Sequence, residues 1–183
     1  MHVFVTGGTG TIGSAVVTEL LANDHTVLAL ARSASSEQTL TDAGAEVLRG
    51  GLADLHVLRA GAAQSDGVIS LAFSPDYSST DGLAAAITEE SAAIAALGEE
   101  LIGSDRPIVT VSGTPWVAGR ASTEDDPLPL EGPVAGARSV NALLEMASRG
   151  VRATAVRMPR TVHKSFQYQR RAVATEGSRR DSS

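Results

Sequence analysis

The chain has no cysteine among its 183 residues, which excludes disulfides and thiolate metal sites. Its four histidines, His2, His25, His56 and His163, show no paired spacing suited to a metal ion. Lysine occurs once, as Lys164, and tyrosine twice, as Tyr77 and Tyr168. Aromatic residues make up only 3%. No apolar run approaches the length of a membrane span, and the apolar start is too short, and lacks the basic flank, for a signal peptide. A soluble, cytoplasmic protein is therefore expected. At this length one domain with a substantial core is expected as well.

Charge is unevenly distributed. Residues 1–163 carry ten arginines, no lysine and nineteen acids, whereas residues 164–183 hold five basic residues against Glu176 and Asp181. An acidic body argues against general nucleic-acid binding and gives no reason to expect a membrane partner.

The richest segment is Thr6-Gly7-Gly8-Thr9-Gly10-Thr11-Ile12-Gly13. It follows a five-residue strand pattern, His2–Thr6, and precedes a helical one with Ile12, Val16 and Leu20 one turn apart. Glycine lets a backbone turn sharply and approach a pyrophosphate, and a helix N-terminus offers unpaired N–H groups to an anion. Strand, glycine turn and helix in that order give a dinucleotide-binding signature. The glycines fit two registers, one starting at Gly7 and one at Gly8. The first is preferred because Gly7 follows the strand directly.

Further strands are predicted at Thr26–Ala31, Glu46–Arg49, Gly67–Ala72, Pro107–Ser112 and Val151–Arg157. Helices are predicted at about Leu52–Gln64, Gly82–Ile102 and Val134–Arg149, with a short one after the second strand. Strands rich in Val, Ile and Leu that alternate with helices imply a parallel sheet covered on both faces. The expected fold is an α/β, Rossmann-type doubly wound sheet of six strands in the order 3-2-1-4-5-6, with its ligand at the strands' carboxyl ends. It would occupy residues 1–163, followed by a basic, disordered tail at 164–183. A long loop, residues 113–132, leaves the fifth strand where a substrate would meet a cofactor.

These features resemble short-chain dehydrogenases/reductases of the extended or atypical kind, the NAD-dependent epimerase/dehydratase-like proteins. The resemblance rests on Thr6–Gly13, Ala31-Arg32-Ser33, Gly51-Leu52, Leu71-Ala72-Phe73, Ser112-Gly113, the acidic-proline stretch Glu124–Pro129 and Arg157-Met158-Pro159. It implies a nicotinamide cofactor held by Gly7, Thr9, Gly10, Thr11, Ile12 and Gly13 at the pyrophosphate. Arg32, Ser33, Gly51 and Leu52 would meet the adenosine half, and Leu71, Ala72, Phe73 and Pro159 the rest.

Arg32 bears on which dinucleotide is bound. A site for NAD places an acid about twenty residues beyond the glycine turn, on the ribose hydroxyls. Here an arginine stands nineteen residues after Gly13, with Ser33 beside it. A guanidinium makes charge-assisted bonds to a 2′-phosphate, on the order of 1.5–3 kcal/mol each, so NADP is expected over NAD. Gly51 stands where many relatives carry an acid, and Asp54 is expected to cap the following helix.

The catalytic pattern departs from the family. Its usual proton donor is a tyrosine four residues before a lysine, yet Tyr77 is followed at that distance by Asp81 and Tyr168 by Ala172. Where the pair would fall, the chain reads Glu131 to Arg138, and arginine cannot be tuned as lysine can. Ser112 matches the family's serine that binds the reacting oxygen. Glu90 falls within an apolar stripe of Leu83, Ile87, Ile94, Leu97 and Leu101, near where relatives carry an active-site Asn or Asp. Trp116 and Phe73 are candidates to line a pocket, and His163 a candidate acid–base group.

Relatives continue beyond the sixth strand into a substrate-binding region, whereas residues 164–183 show neither helical nor strand periodicity. A changed reading frame or truncation near residue 163 would explain this, as would a true basic tail. An open sixth strand would favour homo-oligomers through its edge. The reading is an NADP-binding oxidoreductase or epimerase acting on a small molecule, weakened by the missing pair; the alternative is a non-catalytic NADP(H)-sensing regulator.

Overall fold

The computed structural model describes residues 1–74, 79–128 and 137–159. Tyr77, the stretch 129–136, His163 and the tail 164–183 lie outside the described residues. Strands β1 (His2–Thr6), β2 (Thr26–Ala31), β3 (Glu46–Arg49), β4 (Gly67–Ser70), β5 (Pro107–Gly113) and β6 (Arg152–Met158) alternate with helices α1 (Thr11–Ala22), α2 (Ala34–Asp42), α3 (Leu55–Ala63), α4 (Thr80–Glu100) and α5 (Ala137–Glu145). A single 3-10 turn, Met146–Arg149, extends α5.

All strand pairings are parallel, and the order is β3-β2-β1-β4-β5-β6. The order reverses between β1 and β4, and a crevice opens at that point beyond the strands' carboxyl ends. Alternation along β1 supplies both faces of the core. Val3 and Val5 join Val17, Val27, Ala29 and Leu40, while Phe4 joins Leu58, Leu97, Leu101, Ile108 and Leu143 on the other side. A sheet buried on both faces is why the central strands read as near-continuous apolar runs.

Strands β5 and β6 and helix α4 differ from the sequence reading by one or two residues at their ends, and two further boundaries differ for a local reason. Strand β4 ends at Ser70 because the N–H groups of Leu71 and Ala72 turn onto the Thr6 hydroxyl, each at 3.2 Å. Helix α3 starts at Leu55, not Leu52, and Asp54 does not cap it with its side chain. Its Oδ2 instead accepts the Gly51 N–H at 2.8 Å, closing the turn after β3.

At the opposite end of the sheet, Arg106 ties three elements together. Its guanidinium donates to the carbonyls of Ala62 and Ser65 at 2.7 Å each and to that of Glu100 at 3.3 Å, gathering the C-terminal ends of α3 and α4. Among the described residues no helix is long and apolar enough to cross a membrane.

Candidate functional site

A cleft of about 280 Å³ lies at the crevice, built from the ends of β1 to β4. Its floor is the glycine turn. Gly7 has φ +74, and a Cβ there would stand 2.7 Å from the Ala72 nitrogen, so the turn after β1 is pressed against the exit of β4. A Cβ at Gly13 would lie 2.0 Å from the Gly7 carbonyl oxygen, so this glycine lets α1 pack under the turn. Gly10 is different. It caps α1 without a side-chain hydrogen bond, and a Cβ there would meet only the Gly7 oxygen, at 3.2 Å. Its bare side faces the cleft, where it leaves space for a ligand beside a helix N-terminus that has no acidic residue in its first turn.

Thr6 holds this floor together. It is fully buried, and its Oγ1 accepts from Leu71 and Ala72 while lying 3.4 Å from the Ser70 hydroxyl. Leu71 and Ala72 themselves line the cleft, with Phe73 and Ser74 at its mouth; Phe73 is 40% exposed.

The second wall comes from Leu30, Arg32 and Ser36. Two arginines stand at the ends of β2 and β3, and their states differ. Arg49 donates to Glu37 at 2.6 Å, whereas Arg32 is exposed and makes no hydrogen bond or ion pair among the described residues. Ser33 caps α2 by accepting the Ser36 N–H at 3.2 Å, and its hydroxyl lies 2.9 Å from that of Ser36. Ser36, not Ser33, reaches the cleft wall. The third wall is Gly50, Gly51 and Leu52, set by the Asp54 bond. Thr9 also lines the cleft. Thr11 and Ile12 open α1 just outside that wall, Gly13 is buried beneath it, and exposed Pro159 follows β6.

At the end of β5, Ser112 pairs in register with Arg157. Its Oγ is buried and is, among the described residues, the one such side-chain polar atom without a hydrogen-bond partner. An unsatisfied buried hydroxyl is uncommon and points to a missing partner. Glu90 is half-buried on α4, between Ile87 and the fully packed Ile94 and Leu97. Burial pushes its carboxyl up to about 7, and it has no partner among the described residues.

Beyond Ser112, the chain from Thr114 to Ser122 curls around a second recess of about 480 Å³. Arg120 grips Asp126 with both terminal nitrogens, and Asp126 also accepts the Thr123 N–H at 2.7 Å. The Arg120 hydrogen bond, followed by that from Thr123, holds the Asp126 carboxyl well below the usual carboxylate range. Arg157 on β6 donates to the Thr123 carbonyl at 2.8 Å. Among the described residues no cluster of three or more His, Cys, Asp or Glu could hold a metal ion.

Sequence reasoning brought the glycine turn, Arg32, Gly51, Leu52, Leu71, Ala72 and Phe73 to one place, and the structure sets them around one cleft. It missed Ser36, the Thr6 clamp and the Arg120–Asp126 grip. Ser36 lies one helical turn beyond the Ser33 cap, a spacing that could have signalled it.

The strand order, the glycine turn and the crevice define an NAD(P)-binding-type Rossmann fold. Within it the chain belongs to the NmrA-like family, which it matches over residues 1–93. An uncharacterized protein of Schizosaccharomyces pombe is 39% identical over 165 residues, 89% of this chain and 55% of the relative. UDP-glucose 4-epimerase of Thermus thermophilus, solved in complex with NAD, superposes with a TM-score of 0.68 at 22% identity over 86% of this chain and 54% of that one. The Citrobacter sp. triphenylmethane reductase, solved with NADP(H), gives 0.62 at 18% identity over 97% and 55%. The chain thus spans about half the length of the relatives it matches, and the likeness to the solved structures shows the fold.

Proposed function

We propose that the cleft holds a nicotinamide dinucleotide, NADP in preference to NAD, and that the chain is an oxidoreductase or epimerase working at a carbonyl or alcohol carbon of a small molecule. One observation carries the reading. Gly10 leaves an open cradle at a helix N-terminus without a side-chain cap, and Arg32, in the neighbouring wall, has no ion-pair partner among the described residues. Similarity in fold to an epimerase solved with NAD and a reductase solved with NADP(H) supports it.

In this reading the N–H groups of Thr11, Ile12 and Gly13 receive the pyrophosphate, with Gly7, Thr9 and Gly10 leaving room for it. Arg32, with Ser33 and Ser36 behind it, takes a 2′-phosphate. Gly51 and Leu52 flank the adenine, while Leu71, Ala72, Phe73 and Pro159 border the remainder. The cofactor would supply hydride chemistry. Ser112 donates its unsatisfied hydroxyl hydrogen to the oxygen of the reacting carbon, and Glu90 stores a proton near neutral pH.

No Tyr-x-x-x-Lys pair occurs anywhere in the sequence. That absence favours a second reading, a non-catalytic NADP(H)-sensing regulator. Fluorescence titration with NADPH and NADH tests the binding both readings require; equal affinities would remove the NADP assignment. Cofactor turnover with aldehydes and quinones separates enzyme from sensor. NADPH binding without any turnover would leave the sensor.

A further inference from the structure

The recess beyond β5 has a character of its own. Trp116, the only tryptophan of the chain, is 84% exposed on its wall. Leaving so large an apolar ring in water forgoes the burial that tryptophan usually obtains. The segment carrying it is nevertheless tied down. The Thr114 N–H donates to the Met158 carbonyl at 3.2 Å, Arg120 grips Asp126, and Arg157 holds the Thr123 carbonyl. Trp116 is thus mounted on an anchored loop that starts two residues after Ser112. The recess, about 480 Å³, is large enough for a small organic molecule.

We propose that this recess binds a planar aromatic molecule carrying no negative charge, stacked on Trp116. Charge decides the class. Among the described residues Arg120 is paired with Asp126, whereas Arg157 donates to a backbone carbonyl and has no ion pair. Glu124 and Asp125 are exposed and have no ion pair among the described residues. With Arg120 neutralised by Asp126, Arg157 stands against Glu124 and Asp125, so the described part of this loop keeps a net negative charge, which disfavours a diphosphate such as that of a sugar nucleotide. An uncharged ring system loses nothing to that field, and gains offset stacking and apolar contact with Trp116, Pro115 and Val117.

This assignment rests on the hydride-transfer reading of the β5 end, but its test needs no turnover. With one tryptophan, fluorescence of the full chain excited where tyrosine does not absorb reports Trp116 alone. Menadione, an uncharged planar quinone, should quench it saturably, beyond the collisional quenching it causes in N-acetyltryptophanamide, and UDP-glucose should not. By calorimetry, Trp116→Ala should weaken menadione binding about tenfold or more, and Trp116→Phe should retain it within about threefold. The ring is exposed, so neither change threatens the fold. Quenching no different from that of the free tryptophan derivative would overturn the proposal, as would wild-type affinity in Trp116→Ala or tighter binding of UDP-glucose than of menadione. NADPH affinity is measured on the same samples. Normal NADPH binding without menadione binding defeats the aromatic site alone, whereas loss of NADPH binding defeats the cofactor reading.

Discussion

The hydroxyl of Thr6 accepts the backbone N–H of Ala72 at 3.2 Å, stitching the end of β1 to the exit of β4 directly beneath the glycine turn. Leu71 shares that acceptor but also reaches the Thr6 carbonyl at 3.2 Å, so Ala72 depends on the hydroxyl more heavily. Thr6→Val keeps the volume and removes the acceptor. It should cost about 1–3 kcal/mol in urea unfolding and weaken NADPH binding as the Leu71–Ala72 wall loosens. Unchanged stability and affinity would show that Ala72 finds another acceptor.

Gly10 and Gly13 should separate when each is enlarged. Gly13→Ala drives a methyl into the Gly7 carbonyl, a backbone atom that cannot step aside, and should destabilise the fold by ~2–4 kcal/mol. At Gly10 an added Cβ meets only that same oxygen, at 3.2 Å, and Gly10→Val should keep the far-UV circular dichroism of the parent while losing NADPH. A folded Gly10→Val that still binds NADPH normally would mean that the open cradle is not where the pyrophosphate lies.

Arg32 has no competing partner among the described residues, unlike Arg49, whose guanidinium is held by Glu37. Arg32→Ala should therefore lower NADPH affinity at least tenfold, the equivalent of about one charge-assisted bond, and leave NADH affinity nearly unchanged. Arg49→Ala should alter neither by more than about twofold, because an exposed ion pair contributes little. Parallel titrations of the two variants with both cofactors check this.

Glu90 gives a pH signature. Burial raises its carboxyl from 4.5 to about 7, so the native state holds this proton more tightly than the unfolded chain does. The protonated form fits the native fold at low pH, and stability is lost as the pH rises from the unfolded value through about 7. Glu90→Gln keeps a neutral side chain throughout. It should be more stable than the parent by ~1–3 kcal/mol at pH 8 and close to it at pH 5, by urea denaturation. A stability difference independent of pH would place that carboxylate in water.

Much of this architecture is written in periodicity. The six strands and their order follow from Val- and Ile-rich runs alternating with helical stripes, and the crevice follows from the order. Glu90 was visible as the charged residue interrupting an apolar stripe. Details that depend on one side chain meeting a distant backbone were not visible. Nothing local to Thr6 announces that Leu71 and Ala72 will turn onto it 65 and 66 residues later. Asp54 reads as a helix cap because its residue type and position fit one, yet the glycine pair before it allows a tighter turn in which Gly51 takes the carboxylate. The Arg120–Asp126 grip lies in a loop without periodicity, where sequence offers composition and no geometry.

Every residue lining the cleft falls between Gly7 and Ser74, before α4 begins, whereas Ser112, Trp116 and the anchored loop come after it. The cleft and the later recess are therefore encoded in successive stretches of chain, which the pairing of β4 with β5 joins in one sheet. On the proposed reading, variation in the later stretch would redirect the ligand bound there while the earlier one, with its close backbone contacts, stays as it is.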